Sequence, residues 1–189
     1  MLSDIYSCRN CDLYRVQSPM IDDAQEADII VMGLSAKKKR FVSEIPLDRS
    51  THSGKLVSAM EDIAHKYKCG VYRTNLVKCV PLDENGRLRY PTSLETKCCF
   101  SNFLIEQAAI QPRIVILLGK TVQQVFEKKL KFKIGNAKNC CFPYVAAAGC
   151  YYVASYHPAY VMRSKNRRDT YLQNFENLLR EITLKDERI

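Results

Sequence analysis

The chain has 189 residues, 47% of them hydrophobic and 26% charged, with a formal net charge of +9. That balance excludes a disordered chain and favours one globular domain, residues 1–189, with a sizeable core. It also points to a polyanionic partner, nucleic acid first, the alternative being a surface charged only for solubility.

No run of the sequence approaches the roughly 18 apolar residues that span a bilayer. The opening "MLSDIYSCRNC" has no basic region followed by an apolar stretch, so neither a membrane anchor nor a signal peptide is expected. The expectation is a monomeric cytoplasmic protein. "ADIIVMG" (Ala27 to Gly33) is a continuous apolar run closed by glycine, the pattern of a buried strand. "GKLVSAMEDIAHKYK" (Gly54 to Lys68) places Leu56, Met60, Ile63 and Ala64 at helical spacing. "VYRTNLVKC" (Val71 to Cys79) reads as a second strand, stopped by Pro81. Ser93 to Ile110 reads as a helix with Ser93 as its cap. "RIVILLG" (Arg113 to Gly119) is the clearest buried strand, and "KTVQQVFEKK" follows it as a helix. "CYYVASYH" (Cys150 to His157) is a fourth strand, and Arg168 to Leu184 is the last helix.

Four strands alternating with helices predict an α/β fold with a mainly parallel sheet covered on both faces. In such sheets ligands meet the loops that follow the strand C-termini. Here those loops begin at Gly33, near Asn75, at Gly119 and at Ser155. The stretch "ASYHPAYVMR" therefore puts His157, one of three histidines, among positions expected to face a ligand. The bland alternative is a turn.

Nine cysteines in an intracellular chain are not expected to form disulfides. Cys8-x-x-Cys11 has the spacing that lets two thiolates bind one metal or cluster. Cys79 and Cys98 or Cys99 flank a loop rich in charge and proline. Spacing alone leaves zinc and an iron–sulfur cluster open. Cys69, Cys140, Cys141 and Cys150 read as core filler.

Several segments taken in order, "CRNCDLYR", "ADIIVMGLS", "TNLVKCVP", "YPTSLETKCCFSNFLIEQ", "PRIVILLGKT" and "SYHPAYVMR", resemble the iron–sulfur members of the uracil-DNA glycosylase superfamily, families four and five. The resemblance implies a three-layer α/β/α domain with a short, mainly parallel four-stranded sheet. It implies a 4Fe–4S cluster on Cys8, Cys11, Cys79 and Cys99, with Cys98 as the fallback for the fourth ligand. In the family the cluster orders a DNA-contacting loop, here "PLDENGRLRY" with Arg87 and Arg89. The resemblance further implies a pocket for a base flipped out of DNA. Asn75 matches the asparagine that reads the pyrimidine edge, and His157 the histidine that donates toward the pyrimidine carbonyl.

The first motif departs from the family. Family four has Gly-Glu-Ala-Pro-Gly after strand one, and family five Gly-Leu-Ala-Pro-Ala. Here "GLSAKKKRF" puts Leu34 where the acid stands, and Leu34 and Ser35 are expected to frame the pocket. Family five has an aspartate slightly further on. Its counterpart in "IPLDRSTHSG" is Thr51 by strict counting, or Asp48 with a three-residue insertion. Asp48 is the expected acid. Leu47 stands where the family has a phenylalanine under the base, and Phe41 is the one nearby ring. Lys37, Lys38, Lys39 and Arg40 are expected to contact phosphates, with a solvated charge run as the alternative. Met162 or Arg163 is expected to enter the minor groove.

The expected activity is monofunctional hydrolysis of the N-glycosidic bond of a flipped uracil or modified pyrimidine, in base-excision repair or in defence against modified phage DNA. A non-catalytic iron–sulfur DNA-binding module is the alternative.

Overall fold

Strand β1 (Ile29–Ser35) carries apolar residues on both sides, and both sides are buried. Ile29 and Val31 enter one core, Ile30 and Met32 the other. This is the period of two expected of a strand, with a hydrophobic layer on each face. The structure, a computed structural model, describes residues 2–24 and 26–186, the last three by their backbone alone.

The elements follow in chain order. A short helix α1 (Ser3–Tyr6) and a 3-10 turn (Asp12–Arg15) precede β1. Then come α2 (His52–Lys66), β2 (Val71–Val77), α3 (Ser93–Ile110), β3 (Ile114–Leu118) and α4 (Lys120–Leu130). The chain closes with β4 (Tyr144–Ala147), β5 (Cys150–Ser155), α5 (Pro158–Val161) and α6 (Lys165–Asp186). The strand order is β2-β1-β3-β5-β4. The first four strands are parallel, and β4 pairs antiparallel with β5. On one face α2 and α6 bury Leu56, Met60, Tyr171 and Phe175 against Val31, Ile116 and Val153. On the other, α3 and α4 bury Phe100, Phe103 and Phe126 against Met32, Val115 and Tyr152. The three-layer α/β/α expectation therefore holds.

The expectation of four strands is corrected to five among the described residues. The missed strand, "YVAA", is four residues long, lies at the sheet edge and is only partly buried. Short, alanine-rich edge strands carry little hydrophobic or β-branched signal. A tight turn joins it to β5, with Ala148 at φ 50° and Gly149 at φ 73°, the positive φ values that a type I′ hairpin requires.

Helix α3 starts at a capping box in which Thr92 accepts from the Glu95 backbone and Glu95 from the Thr92 backbone. It also supplies Glu106, which is fully buried, to a polar network behind β2. The Lys78 ammonium, equally buried, donates to Glu106 Oε2 at 2.6 Å, to Thr74 Oγ1 at 2.8 Å and to the Asn75 carbonyl at 2.6 Å. Glu106 Oε1 accepts from Thr74 Oγ1 at 2.7 Å and from the Tyr72 hydroxyl at 3.1 Å. The Tyr72 pKa is pushed far up by burial and by the neighbouring Glu106 charge, so the hydroxyl stays a donor. Removing one member of such a pair strands the other charge, which typically costs about 3–5 kcal/mol. Glu106→Ala is therefore expected to lower the unfolding free energy by that order, read from urea denaturation of the intact protein.

Candidate active site

The sheet order reverses direction between β1 and β3, and the crevice at such a point is where open α/β sheets bind ligands. A cleft of about 390 Å³ lies there. Gly33, Leu34 and Ser35 from β1, Asn75 from β2, Leu118 from β3 and His157 after β5 line it together. Four strand ends far apart in sequence thus deliver the expected residues to one place.

Asn75 is opposite Gly33 in the parallel β1–β2 register. A Cβ on residue 33 would lie 2.3 Å from Asn75 Oδ1, so only glycine leaves room for the amide to cross the end of β1. Leu47, in the left-handed region at φ 53°, forms another wall. The buried Arg73 guanidinium holds it, donating to the Leu47 carbonyl at 2.9 Å and to Ser58 Oγ at 3.1 Å while pairing with Glu61. Phe41 does not line the cleft. It is half-exposed, with the Arg40 guanidinium 5.8 Å from its ring centre.

His157 is the N-cap of α5, with Pro158 at the first helical position. Its Nδ1 accepts the Ala159 backbone N–H at 3.2 Å. In the neutral ring the proton is therefore on Nε2, because the hydrogen bond at one nitrogen decides the tautomer at the other. Desolvation of the imidazole holds its pKa below the ordinary value, although part of the residue is exposed. The cleft consequently contains a neutral N–H donor and an amide that both donates and accepts.

The loop after β1 folds around Glu44, a carboxylate only 2% exposed. Lys37 Nζ donates to it, as do the Arg40 backbone N–H at 2.7 Å, Arg40 Nε at 3.0 Å and Arg40 Nη2 at 2.7 Å. Burial by itself would raise the Glu44 pKa, but these donors outweigh it and hold the group at about 2. Two of the four cations expected to meet phosphates, Lys37 and Arg40, are thus paired within the protein. Lys38 is exposed, and the Lys39 backbone N–H is held by Gln17 Oε1 at 2.8 Å. A buried glutamate seven residues beyond Lys37 and four beyond Arg40 was the signal in "KKKRFVSE".

Asp48 is not among the residues lining the cleft. Its carboxylate accepts from the Ser50 hydroxyl and from the Ser50 backbone N–H at 2.9 Å, which hold its pKa down. It faces a neighbouring depression shared with Asp22, Glu61 and Arg73. Thr51, the residue reached by strict counting, does line the cleft, as does Ser53. Thr51 Oγ1 is occupied as the cap of α2, accepting the Gly54 N–H at 2.9 Å. Among the described lining residues there is no aspartate or glutamate.

Leu88 and Tyr90, which carry no distinctive signal in the sequence, also line the cleft, from the loop between β2 and α3. In that loop Arg87 is exposed, whereas Arg89 is tied to Glu95 at 2.9 and 2.6 Å. Arg163 is exposed between α5 and α6, and the adjacent Met162 packs on the core.

Behind β2, Cys8, Cys11, Cys79 and Cys99 line one small recess with Tyr14, Val77 and Asn102. Cys98 is not part of that lining. Asn102 Nδ2 points at Cys8 Sγ (3.4 Å) and Cys99 Sγ (3.6 Å), and the Lys78 backbone N–H at Cys99 Sγ (3.3 Å). Among the described residues, no three His, Cys, Asp or Glu side chains are spaced for a single metal ion. The four cysteines thus share one recess with the N–H donors of Asn102 and Lys78.

Asn75 and His157 thus line one cleft at the C-terminal edge of the parallel strands. Residues 22–180 match the family model of the uracil DNA glycosylase superfamily, and the chain belongs to that superfamily. It is 26% identical over 185 residues to the type-4 uracil-DNA glycosylase of Archaeoglobus fulgidus, an alignment covering 94% of this chain and 89% of that relative. Among the described residues no helix is long and apolar enough to cross a membrane.

Gly33→Ala is expected to displace the Asn75 amide without unfolding the chain, because the obstructed atom ends a side chain. The Asn75 side-chain amide signals in an NMR spectrum should shift while the thermal midpoint moves by only a few degrees.

Proposed function

We propose that this protein is a monofunctional DNA glycosylase that hydrolyses the N-glycosidic bond of a base extruded from DNA, leaving an abasic site. One observation carries the reading. Asn75 on β2 and His157 just after β5, strands separated by two others in the sheet, line one cleft, and the imidazole tautomer is already set for donation. Asn75 reads the edge of a pyrimidine. His157 Nε2–H donates to the pyrimidine carbonyl oxygen, where negative charge grows as the base departs with the bonding electron pair. Water adds to the sugar carbon, and the proton it loses ends on the departed base. A fixed donor at that oxygen is worth on the order of 100- to 1,000-fold in rate. Leu34, Ser35 and Leu47 frame the base.

Asp48 is the proposed carboxylate that positions the water or stabilises the oxocarbenium-like sugar, and it has to turn from Ser50 to reach the cleft. Lys38, Lys39, Arg87 and Arg163 are proposed phosphate contacts, with Lys37 and Arg40 ordering the same loop through Glu44. Cys8, Cys11, Cys79 and Cys99 are proposed to hold a 4Fe–4S cluster, whose role here is to pin the N-terminal segment to β2 and α3. The protein is proposed to act as a cytoplasmic monomer. Its substrate is uracil or a modified pyrimidine, in repair or in defence against modified phage DNA. Leu34 in place of the family-four acid supports the second substrate. The lack of a carboxylate among the described cleft residues favours a second reading, a DNA-binding module without catalysis.

The deciding experiment is mass spectrometry of bases released from uracil-bearing duplexes and from natural and phage DNAs. Release of a base supports the glycosylase reading; no release from any DNA leaves the binding module. His157→Ala is expected to depress the single-turnover rate about 100- to 1,000-fold with little change in DNA affinity. Because burial lowers the folded His157 pKa, the fall in wild-type rate as the ring gains a second proton and Nδ1 ceases to accept the Ala159 N–H should come at a lower pH than for a free imidazole.

Cys79→Ser is expected to lose iron and the broad absorbance near 400 nm, whereas Cys150→Ser should keep both. Full iron content in the Cys79 variant removes that residue from the ligand set.

A further inference from the structure

The loop between β2 and α3 is braced by hydrogen bonds within itself. Asp83 Oδ1 accepts from the backbone N–H groups of Asn85 (2.9 Å) and Arg87 (2.8 Å). Leu82 and Leu88 form an antiparallel bridge, and the Arg89 N–H donates to the Pro81 carbonyl at 3.0 Å. The Arg89 guanidinium donates to the Leu82 carbonyl and the Tyr90 carbonyl at 3.0 Å each, and grips Glu95 in the capping box of α3. The Arg89 charge is thereby satisfied within the loop.

Leu88 and Tyr90 are left facing out, and both border the cleft. Tyr90 is 77% exposed and Leu88 59%. An aromatic ring held in water by a braced hairpin is preorganised for a flat partner, since it has two rotatable side-chain bonds and little loop entropy to lose. The cleft has no ring on its Leu47 wall, and Phe41 is directed elsewhere. Base–aromatic stacking contributes through any π-face and does not depend on base identity.

We propose that Tyr90 is the stacking residue of this site: its ring covers the face of the extruded base, with Leu88 closing the edge beside it. This rests on the glycosylase reading for the presence of an extruded base. Tyr90 is a positioning residue here: its ring holds the base while Asn75 and His157 engage the edge and the carbonyl oxygen.

The test uses the intact, cluster-loaded protein and two duplexes. One carries a single 2′-fluoro-2′-deoxyuridine opposite guanine, which resists hydrolysis, and the other a tetrahydrofuran abasic site at the same place. Tyr90→Ala should weaken binding of the first about 5- to 150-fold and leave the second unchanged. Tyr90→Phe should restore the loss, which a role through the hydroxyl would not allow. Unchanged iron content and thermal midpoint keep folding out of the comparison. Equal weakening on both duplexes, no weakening on either, or a wild-type protein that fails to distinguish them overturns the stacking role. Selective loss in the variant, from a wild-type protein that releases no base from any DNA, supports stacking while the glycosylase reading fails.

Discussion

The buried ion pair of Lys78 with Glu106 is the constraint on which the rest of the structure depends. Two charges in a fully buried setting persist only if their hydrogen-bonding capacity is satisfied. Here Thr74, Tyr72 and the Asn75 carbonyl supply the partners. The same lysine residue reaches the cysteine recess through its backbone, donating to Cys99 Sγ, and the N-terminal segment through its carbonyl, which accepts the Met20 N–H at 2.8 Å. One residue thus ties helix α3, the end of β2, the sulfur recess and the chain before β1 into a single unit. Asn75 belongs to that unit, and its side chain is aimed into the cleft by a backbone that the network holds.

Charge on the opposite rim is managed differently. Four consecutive cations after β1 would repel one another and keep their loop open. Glu44 enters beneath them and offsets two, converting a charge run into a folded segment with Lys38 left on its surface. The depressed Glu44 pKa is the mark of that work. The contribution is present above the ordinary carboxylate range and is lost as pH falls toward about 2. The loop therefore keeps its shape throughout the neutral range.

Cleft chemistry follows from two local devices. At Gly33 the absence of a Cβ admits the Asn75 amide, and at His157 a helix N-cap fixes the tautomer. Neither needs a flexible part. The cleft lacks a carboxylate among its described lining, so the donors to a departing base are better defined than any activator of water. That asymmetry places the weight of the proposed mechanism on leaving-group stabilisation.

Sequence periodicity by itself determined the α/β class, the four parallel strands and the strand ends at which Gly33, Asn75 and His157 stand, because buried strands and their closing residues leave a local signal. The resemblance in ordered motifs marked Cys8, Cys11, Cys79 and Cys99 before their convergence was visible. Tertiary structure alone decided what depends on side-chain direction and on distant partners. Edge strand β4 is paired from one side, so its residues carry no strong pattern. Asp48 is adjacent to the cleft in sequence, yet Ser50 and Arg40 draw its carboxylate away. Lys37 and Arg40 read as free charges until Glu44 is placed under them. Tyr90 is one more residue in a polar loop until the hydrogen bonds of Asp83 and Arg89 lift it over the cleft. A linear pattern records which faces are apolar, but not which partner a charge or a ring will meet once the chain has closed on itself.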